Sequence, residues 1–231
     1  MFKKKHKKMT VGRPNLITLT RPKSVIAEQF RTVRTNIQFS MVDKNLKTLM
    51  VTSSAPLAGK STVSANLAVT FAMQGKRVLL VDTDMRKPTV HKTFDLPNNE
   101  GLTTLLTEQE VSIKEVAHRM PTEGLYVITS GVIPPNPSEL LDSNRMSLLI
   151  KEFEDVFDLI IFDTPPVIAV TDAQVMASKV DGTIFVINKG VANKEWVKKS
   201  KELLDMVHAN VLGVVFNRVE LSNEDYYYYG E

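Results

Sequence analysis

The stretch Thr48-Leu49-Met50-Val51-Thr52-Ser53-Ser54-Ala55-Pro56-Leu57-Ala58-Gly59-Lys60-Ser61-Thr62 sets β-forming and apolar residues ahead of a run of small ones, and that run ends in Gly-Lys-Ser. A strand, a loop of small residues and the start of a helix is the order a phosphate-binding loop requires. Successive backbone N–H groups must point at phosphate oxygens, and the helix behind adds its positive end. On this reading Ala55, Pro56, Leu57, Ala58, Gly59, Lys60, Ser61 and Thr62 enclose the phosphates of a nucleotide. Lys60 neutralises β/γ-phosphate charge, and Ser61 offers its hydroxyl to magnesium. The strict pattern also asks for a glycine five residues before Gly59, where Ser54 stands. Gly-Lys-Ser alone decides little, so the rest of the chain must supply the site.

Two hydrophobic strands ending in aspartate do so. Val78-Leu79-Leu80-Val81-Asp82-Thr83-Asp84 follows at the distance of one βαβ unit, and Leu159-Ile160-Ile161-Phe162-Asp163 comes much later. Ligands of an open parallel sheet sit at the carboxyl ends of its strands. Asp82, Asp84 and Asp163 are therefore expected to converge on one magnesium-bound triphosphate. A single aspartate after a strand is more often a turn former or a helix cap. Two of them together with Gly-Lys-Ser favour a site.

The remaining pattern alternates strands with helices. A helix from near Ser24 carries Ile26, Phe30, Val33, Ile37 and Met41 at three- or four-residue steps. The helix behind the loop runs over residues 60–74 and stops at Gly75. Short helices are expected over 101–106 and 112–119, and a strand over 125–129. Then Pro134-Pro135-Asn136-Pro137-Ser138-Glu139-Leu140-Leu141 reads as a stiff loop entering a helix capped by Ser138. Strands over 183–188 and 210–217 enclose an amphipathic helix over 194–207. The fold class is α/β, a doubly wound, mostly parallel sheet of the P-loop NTPase type with helices on both faces.

A chain of 231 residues suits one such domain. Its expected limits are 23–219, between a basic arm over 1–22 and a tyrosine-rich tail over 220–231. The absence of cysteine excludes disulfides and thiolate–zinc sites. No apolar run is long enough to cross a bilayer, and none follows the N-terminal charges, so a cytoplasmic protein is expected.

The net charge of +3 is unevenly spread, because Met1-Phe2-Lys3-Lys4-Lys5-His6-Lys7-Lys8 leaves the body close to neutral. Such an arm either finds an anionic surface or is a solvated end. Without a basic, aromatic-bearing face elsewhere, no nucleic-acid partner is expected. Glu28, Arg31 and Arg34 line up along one helix flank. Spacing alone favours a solvated ion pair over a subunit contact. Arg86 and Lys87, beside Asp84, either touch phosphate or balance the aspartates. Asn217 and Arg218 end the last strand where an adenine could be held, although asparagine there is usually a turn residue. Tyr226, Tyr227, Tyr228 and Tyr229 form one run among acids. They suit either an aromatic clasp on a partner or the substrate of a tyrosine kinase.

Ala55-x-x-x-Gly59-Lys60-Ser61, Val81-Asp82-Thr83-Asp84-Met85-Arg86-Lys87-Pro88, Phe162-Asp163-Thr164-Pro165-Pro166, the Pro134–Leu140 segment and the tyrosine run together resemble the bacterial tyrosine kinases (BY-kinases). The nearest likeness is to the separate cytoplasmic kinase subunits of Gram-positive capsule and exopolysaccharide systems. The resemblance covers the chain from Lys23 to Glu231. It implies ATP and Mg2+ as cofactors and autophosphorylation of the Tyr226–Tyr229 cluster in trans. It assigns catalysis to Lys60, Asp82 and Asp84, with Asp82 activating the tyrosine hydroxyl, and magnesium to Ser61, Asp84 and Asp163. Glu28, Arg31 and Arg34 match the family's oligomerisation motif, which implies a homo-oligomer. Further implied partners are a transmembrane activator of the polysaccharide co-polymerase type on a separate chain, which would recruit the kinase to the inner face of the membrane, and a cognate tyrosine phosphatase.

One departure stands out. Family members commonly have glycine after the loop proline, whereas Leu57 follows Pro56; a positive φ there would strain leucine by roughly 1–2 kcal/mol. Two other functions fit the same residues: a partitioning or division-site P-loop ATPase, and a non-catalytic, nucleotide-dependent adaptor of a polysaccharide export complex. The former usually carries a second lysine early in the loop, and Ser53-Ser54-Ala55 has none.

Overall fold

The computed structural model describes residues 16–40 and 46–219. The arm over 1–15, Met41 and the tail with Tyr226–Tyr229 lie outside the described residues. In chain order the elements are α1 (Ile17–Thr20), α2 (Val25–Phe39), β1 (Thr48–Ser53), α3 (Lys60–Ala72), β2 (Val78–Asp82) and α4 (Val90–Phe94). Next come α5 (Leu102–Thr107), α6 (Ile113–Val116), β3 (His118–Arg119), β4 (Leu125–Ile128), α7 (Pro137–Asp142) and α8 (Asn144–Val156). The chain continues through β5 (Leu159–Asp163), α9 (Asp172–Ala177), β6 (Gly182–Asn188), α10 (Lys194–Met206) and β7 (Val211–Asn217).

The seven strands form one sheet in the order β3-β4-β2-β5-β1-β6-β7. All neighbours are parallel except β3 against β4. Because side chains alternate along a strand, each central strand feeds two cores. Leu49 and Val51, Leu80, Ile161 and Ile184 join α2, α3 and α4 on one face. Met50, Leu79, Ile160, Phe162 and Phe185 join the helices from α5 to α10 on the other. β1, β2 and β5 are buried at every position, as near-continuous apolar runs in a doubly covered sheet must be. β7 is an edge strand and only partly covered, with Phe216 61% exposed.

Helix α2 starts next to Ser24, as expected, and the Ser24 hydroxyl caps it, accepting from the Ala27 amide at 3.2 Å. The buried stripe is rotated from the expected one: Ala27 and Ile37 are buried, Phe30 and Val33 pack on the core, and Ile26 is exposed. The small alanine lets α2 approach α3 closely, and this turns the bulkier Ile26 outward. Two further expectations change. Residues 118 and 119 form a strand, His118 pairing Val127 and Arg119 pairing Tyr126, so the helix before them stops at Val116. Helix α7 begins with Pro137 at its first position after Asn136, where a missing N–H costs nothing. Ser138 is therefore inside the helix and is not its cap.

Helix α8 has a clear local code that the sequence reading passed over. Ser143 caps it by accepting from the Met146 amide at 3.2 Å. Met146, Leu149, Ile150 and Phe153 recur at helical spacing and are all buried. Leu149→Ala should destabilise the protein by about 2–5 kcal/mol in urea unfolding; a loss below about 1 kcal/mol would show that α8 contributes little to the core.

Candidate active site

The loop between β1 and α3 is fixed from three directions. The Ser53 hydroxyl donates to the Ala55 carbonyl at 2.8 Å, at the exit of the strand. Gly59 adopts φ 93°, and a Cβ there would lie 1.9 Å from the Asn217 amide nitrogen. That nitrogen donates to the Ala58 carbonyl at 2.9 Å, so the last strand props the loop directly. Position 59 thus favours glycine, because the left-handed backbone strains any other residue and a Cβ would displace the Asn217 amide that props the loop. Leu57 has φ 62° and is 85% exposed, so the loop does adopt the geometry that strains a leucine.

Lys60 opens α3 and is 8% exposed. Its Nζ lies 2.9 Å from Asp84 Oδ2 and 3.9 Å from Asp163 Oδ2. Asp82 and Asp163 stand directly opposite each other in the β2–β5 register, so main-chain pairing forces two carboxylates together. Asp163 Oδ1 accepts from the Ser64 hydroxyl at 3.0 Å, while its buried Oδ2 has no hydrogen-bond donor. Ser64 lies one turn along α3 from Lys60, a helical spacing that could have marked it. Asp84 Oδ1 accepts from the Lys87 amide at 3.0 Å.

Asp82 is fully buried. Its Oδ2 accepts from the Thr89 and Val90 amides at 3.1 and 3.0 Å, and its Oδ1 from the Asp84 amide at 3.2 Å. In this geometry the side chain anchors the turn that carries Asp84 and the start of α4. The amides responsible carry no side-chain signature, and sequence reasoning could not have found them.

The electrostatics follow from the crowding. Burial, followed by the charge of Asp163, pushes Asp82 up to about 8, against the Val90 amide and Lys60. Burial likewise raises Asp163, opposed by Lys60 and the serine hydroxyls. Burial works against the charge of Lys60, but Asp163 and Asp84 hold it above the ordinary lysine value. The unpartnered Asp163 oxygen, Asp84 and the Ser61 hydroxyl form an oxygen donor set suited to a hard cation such as magnesium. Among the described residues no group of three or more His, Cys, Asp or Glu is placed to hold a metal ion. A cleft of about 550 Å³ opens here, lined by Leu57, Lys60, Ser61, Lys87, Pro166 and Arg218 among others.

The expected oligomer residues are engaged within the chain. Arg31 Nε lies 2.6 Å from Glu28 Oε2, and its Nη1 donates to the Pro22 carbonyl at 3.0 Å. Arg34 Nη1 reaches across to the Thr70 carbonyl of α3 at 3.1 Å, while its buried Nε has no partner. Arg218, with φ 56°, faces the cleft beside Leu57.

A glycine-pinned phosphate loop, a buried lysine and strand-end carboxylates on a parallel sheet define a P-loop nucleotide-binding domain. Comparison with known proteins narrows this. The sequence family described as AAA domain matches residues 47–208. The chain is 48% identical to the tyrosine-protein kinase YwqD of Bacillus subtilis (strain 168), over 94% of this chain and 91% of that protein. It is 46% identical to the putative tyrosine-protein kinase CapB of Staphylococcus aureus, over 91% of this chain and 93% of that one. The crystal structure of the chimerical protein CapA2B2 superposes with a TM-score of 0.86 at 45% identity, covering 90% of this chain and 91% of that one. The chain belongs to the bacterial tyrosine-protein kinase family.

Leu57 offers a direct test of loop strain. Leu57→Gly removes roughly 1–2 kcal/mol of backbone strain and adds about 0.4–1 kcal/mol of chain entropy to the unfolded state. Stability in urea should therefore hold or rise slightly. A drop of about 1 kcal/mol or more would mean that the exposed leucine side chain stabilises the loop.

Proposed function

We propose that this chain is an ATP- and magnesium-dependent kinase that phosphorylates Tyr226, Tyr227, Tyr228 and Tyr229 on a neighbouring copy, and so regulates synthesis and export of a capsular or exopolysaccharide. The observation that carries this reading is the buried meeting of Lys60, Asp84 and Asp163 behind the phosphate loop, in a chain nearly half identical to proteins named tyrosine-protein kinases. Phosphoryl transfer rests mostly on positioning and charge. Lys60 turns from the carboxylates to the β/γ-phosphates when nucleotide binds. Ser61, Asp84 and Asp163 hold magnesium, which neutralises phosphate charge. Asn217 and Arg218 lie beside the nucleotide at the loop's far side. Asp82, fully buried and raised to about 8, can accept the tyrosine proton only in its ionised form and only once the turn over it opens to substrate.

Among the described residues no helix is long and apolar enough to cross a membrane. On this reading a membrane activator on a separate chain supplies recruitment to the inner face of the membrane, and a tyrosine phosphatase resets the tail. Copies associate through Glu28, Arg31 and Arg34. The exposed side of the Glu28–Arg31 pair is the part available to a neighbour's surface.

The test is a phosphotyrosine blot of the purified chain with Mg–ATP and the activator's cytoplasmic segment. Lys60→Met should abolish the signal while keeping the circular dichroism of the fold. Mixed with a copy whose four tail tyrosines are phenylalanine, the Lys60→Met copy should regain label. Continued silence in the mixture would exclude transfer between copies.

Each phosphorylation adds about −1.5 to −2 charges to a tail that already holds Glu220, Glu224, Asp225 and Glu231. Like charges then repel neighbouring tails. Light scattering should find oligomers before Mg–ATP and smaller particles after it, whereas the four-phenylalanine variant should keep its mass. An unchanged mass in fully phosphorylated protein would rule out this switch.

A further inference from the structure

Arg86 stands two residues beyond Asp84, and its guanidinium is committed elsewhere than to the phosphate loop. Nε donates to Asp172 Oδ2 at 2.9 Å and Nη2 to Asp172 Oδ1 at 3.1 Å, a two-point grip on a fully buried carboxylate. Nη2 also donates to the Ser138 hydroxyl at 3.1 Å, and that hydroxyl donates to Asp172 Oδ1 in turn. The Thr171 hydroxyl donates to Ser138 at 3.3 Å. A planar, permanently charged guanidinium matches a carboxylate in this forked geometry as a lysine cannot.

The placement of the three residues gives the cluster its meaning. Strands β4, β2 and β5 are consecutive neighbours in the sheet. Ser138 lies on the segment after β4, Arg86 on the segment after β2, and Asp172 at the end of the segment after β5. The last two segments start directly after Asp82 and Asp163, the strand-end carboxylates, and the first of them carries Asp84. From these contacts we infer that Arg86, Asp172 and Ser138 form a clamp that sets the spacing of the carboxylates at the magnesium position, with Arg86 a positioning residue rather than a phosphate ligand. The turn from Asp84 to Thr89 is then held at both ends. The amides of residues 84, 89 and 90 bind Asp82 inside, and Arg86 binds Asp172 outside. Both Arg86 and Lys87 line the cleft, but Nε and Nη2 of Arg86 are taken by Asp172 and Ser138, whereas the main-chain amide of Lys87 donates to Asp84 and leaves its ammonium to meet an incoming anion.

The inference rests on the magnesium–nucleotide reading of the site, and binding without turnover separates the two. A fluorescent ADP analogue is titrated into the full chain at several magnesium concentrations and in EDTA. The variants are Arg86→Lys, Asp172→Asn and Ser138→Ala, each checked for its thermal midpoint. Partners that orient metal ligands typically contribute 10- to 100-fold in metal affinity. Arg86→Lys and Asp172→Asn should therefore raise the magnesium concentration needed for half-maximal binding by about 10-fold or more, and Ser138→Ala by less. Affinity in EDTA should stay within about twofold of wild type. An unchanged magnesium midpoint in folded Arg86→Lys and Ser138→Ala would overturn the clamp, even if Asp172→Asn fails to fold. A loss in EDTA confined to Arg86→Lys would make Arg86 a phosphate ligand and overturn it equally. If wild type binds the analogue with no magnesium dependence, the parent reading of the site fails instead.

Discussion

Asp82 and Asp163 are brought face to face by strand pairing, in an interior that excludes water, and Lys60 is the buried cation against which that crowding is balanced. A carboxylate pair in low dielectric cannot remain doubly charged without a nearby positive group or a proton. Lys60 is held above the ordinary lysine value by Asp163 and Asp84, and burial beside Asp163 pushes Asp82 up to about 8. On the proposed reading, a triphosphate with its magnesium would replace this arrangement, the phosphates facing the ammonium and the metal the acids, so that the same atoms would serve both the folded state and substrate binding. Substitutions at Lys60 or Asp163 consequently act on stability and chemistry together, and kinetic effects there need a folding control.

Strand order turns this local problem into a site. With β2, β5 and β1 adjacent at the centre of the sheet, the two acidic strand ends and the phosphate loop share one edge. Helices on both faces bury all three strands completely, so their carboxyl ends have little freedom to shift. Rigidity of the strands leaves adjustment to the connecting segments, and contacts such as Arg86 with Asp172 restrain those.

Much of this was legible in the chain. Apolar runs closed by aspartate and a strand entering Gly-Lys-Ser each carry their information locally, within one strand and its turn. Legibility ended where a side chain's role depends on a distant partner. Ser138 has the identity and position of a helix cap, yet Pro137 shifts the start of the helix and leaves the hydroxyl to Asp172. Ile26 fits an apolar stripe as well as Ala27 does, and only the closeness of α3 decides between them. Asp82 reads as an acid at a ligand site, while its three amide donors come from backbone that any sequence possesses. Helix α8 is the exception, since its cap and its buried spacing were present in the residues and were passed over.

The bond from Asn217 to the Ala58 carbonyl joins positions 159 residues apart. A ribosome delivers the phosphate loop well before its prop. Until β7 has been made and laid against β6, the loop lacks the support that shapes it, however well β1 and α3 are already formed. Closing so long a span is slow compared with local helix formation. Synthesis therefore has a built-in sequence in which a nascent or prematurely terminated chain holds most of its core but an unpropped phosphate loop. The loop's full set of contacts is complete only once β7 lies beside β6.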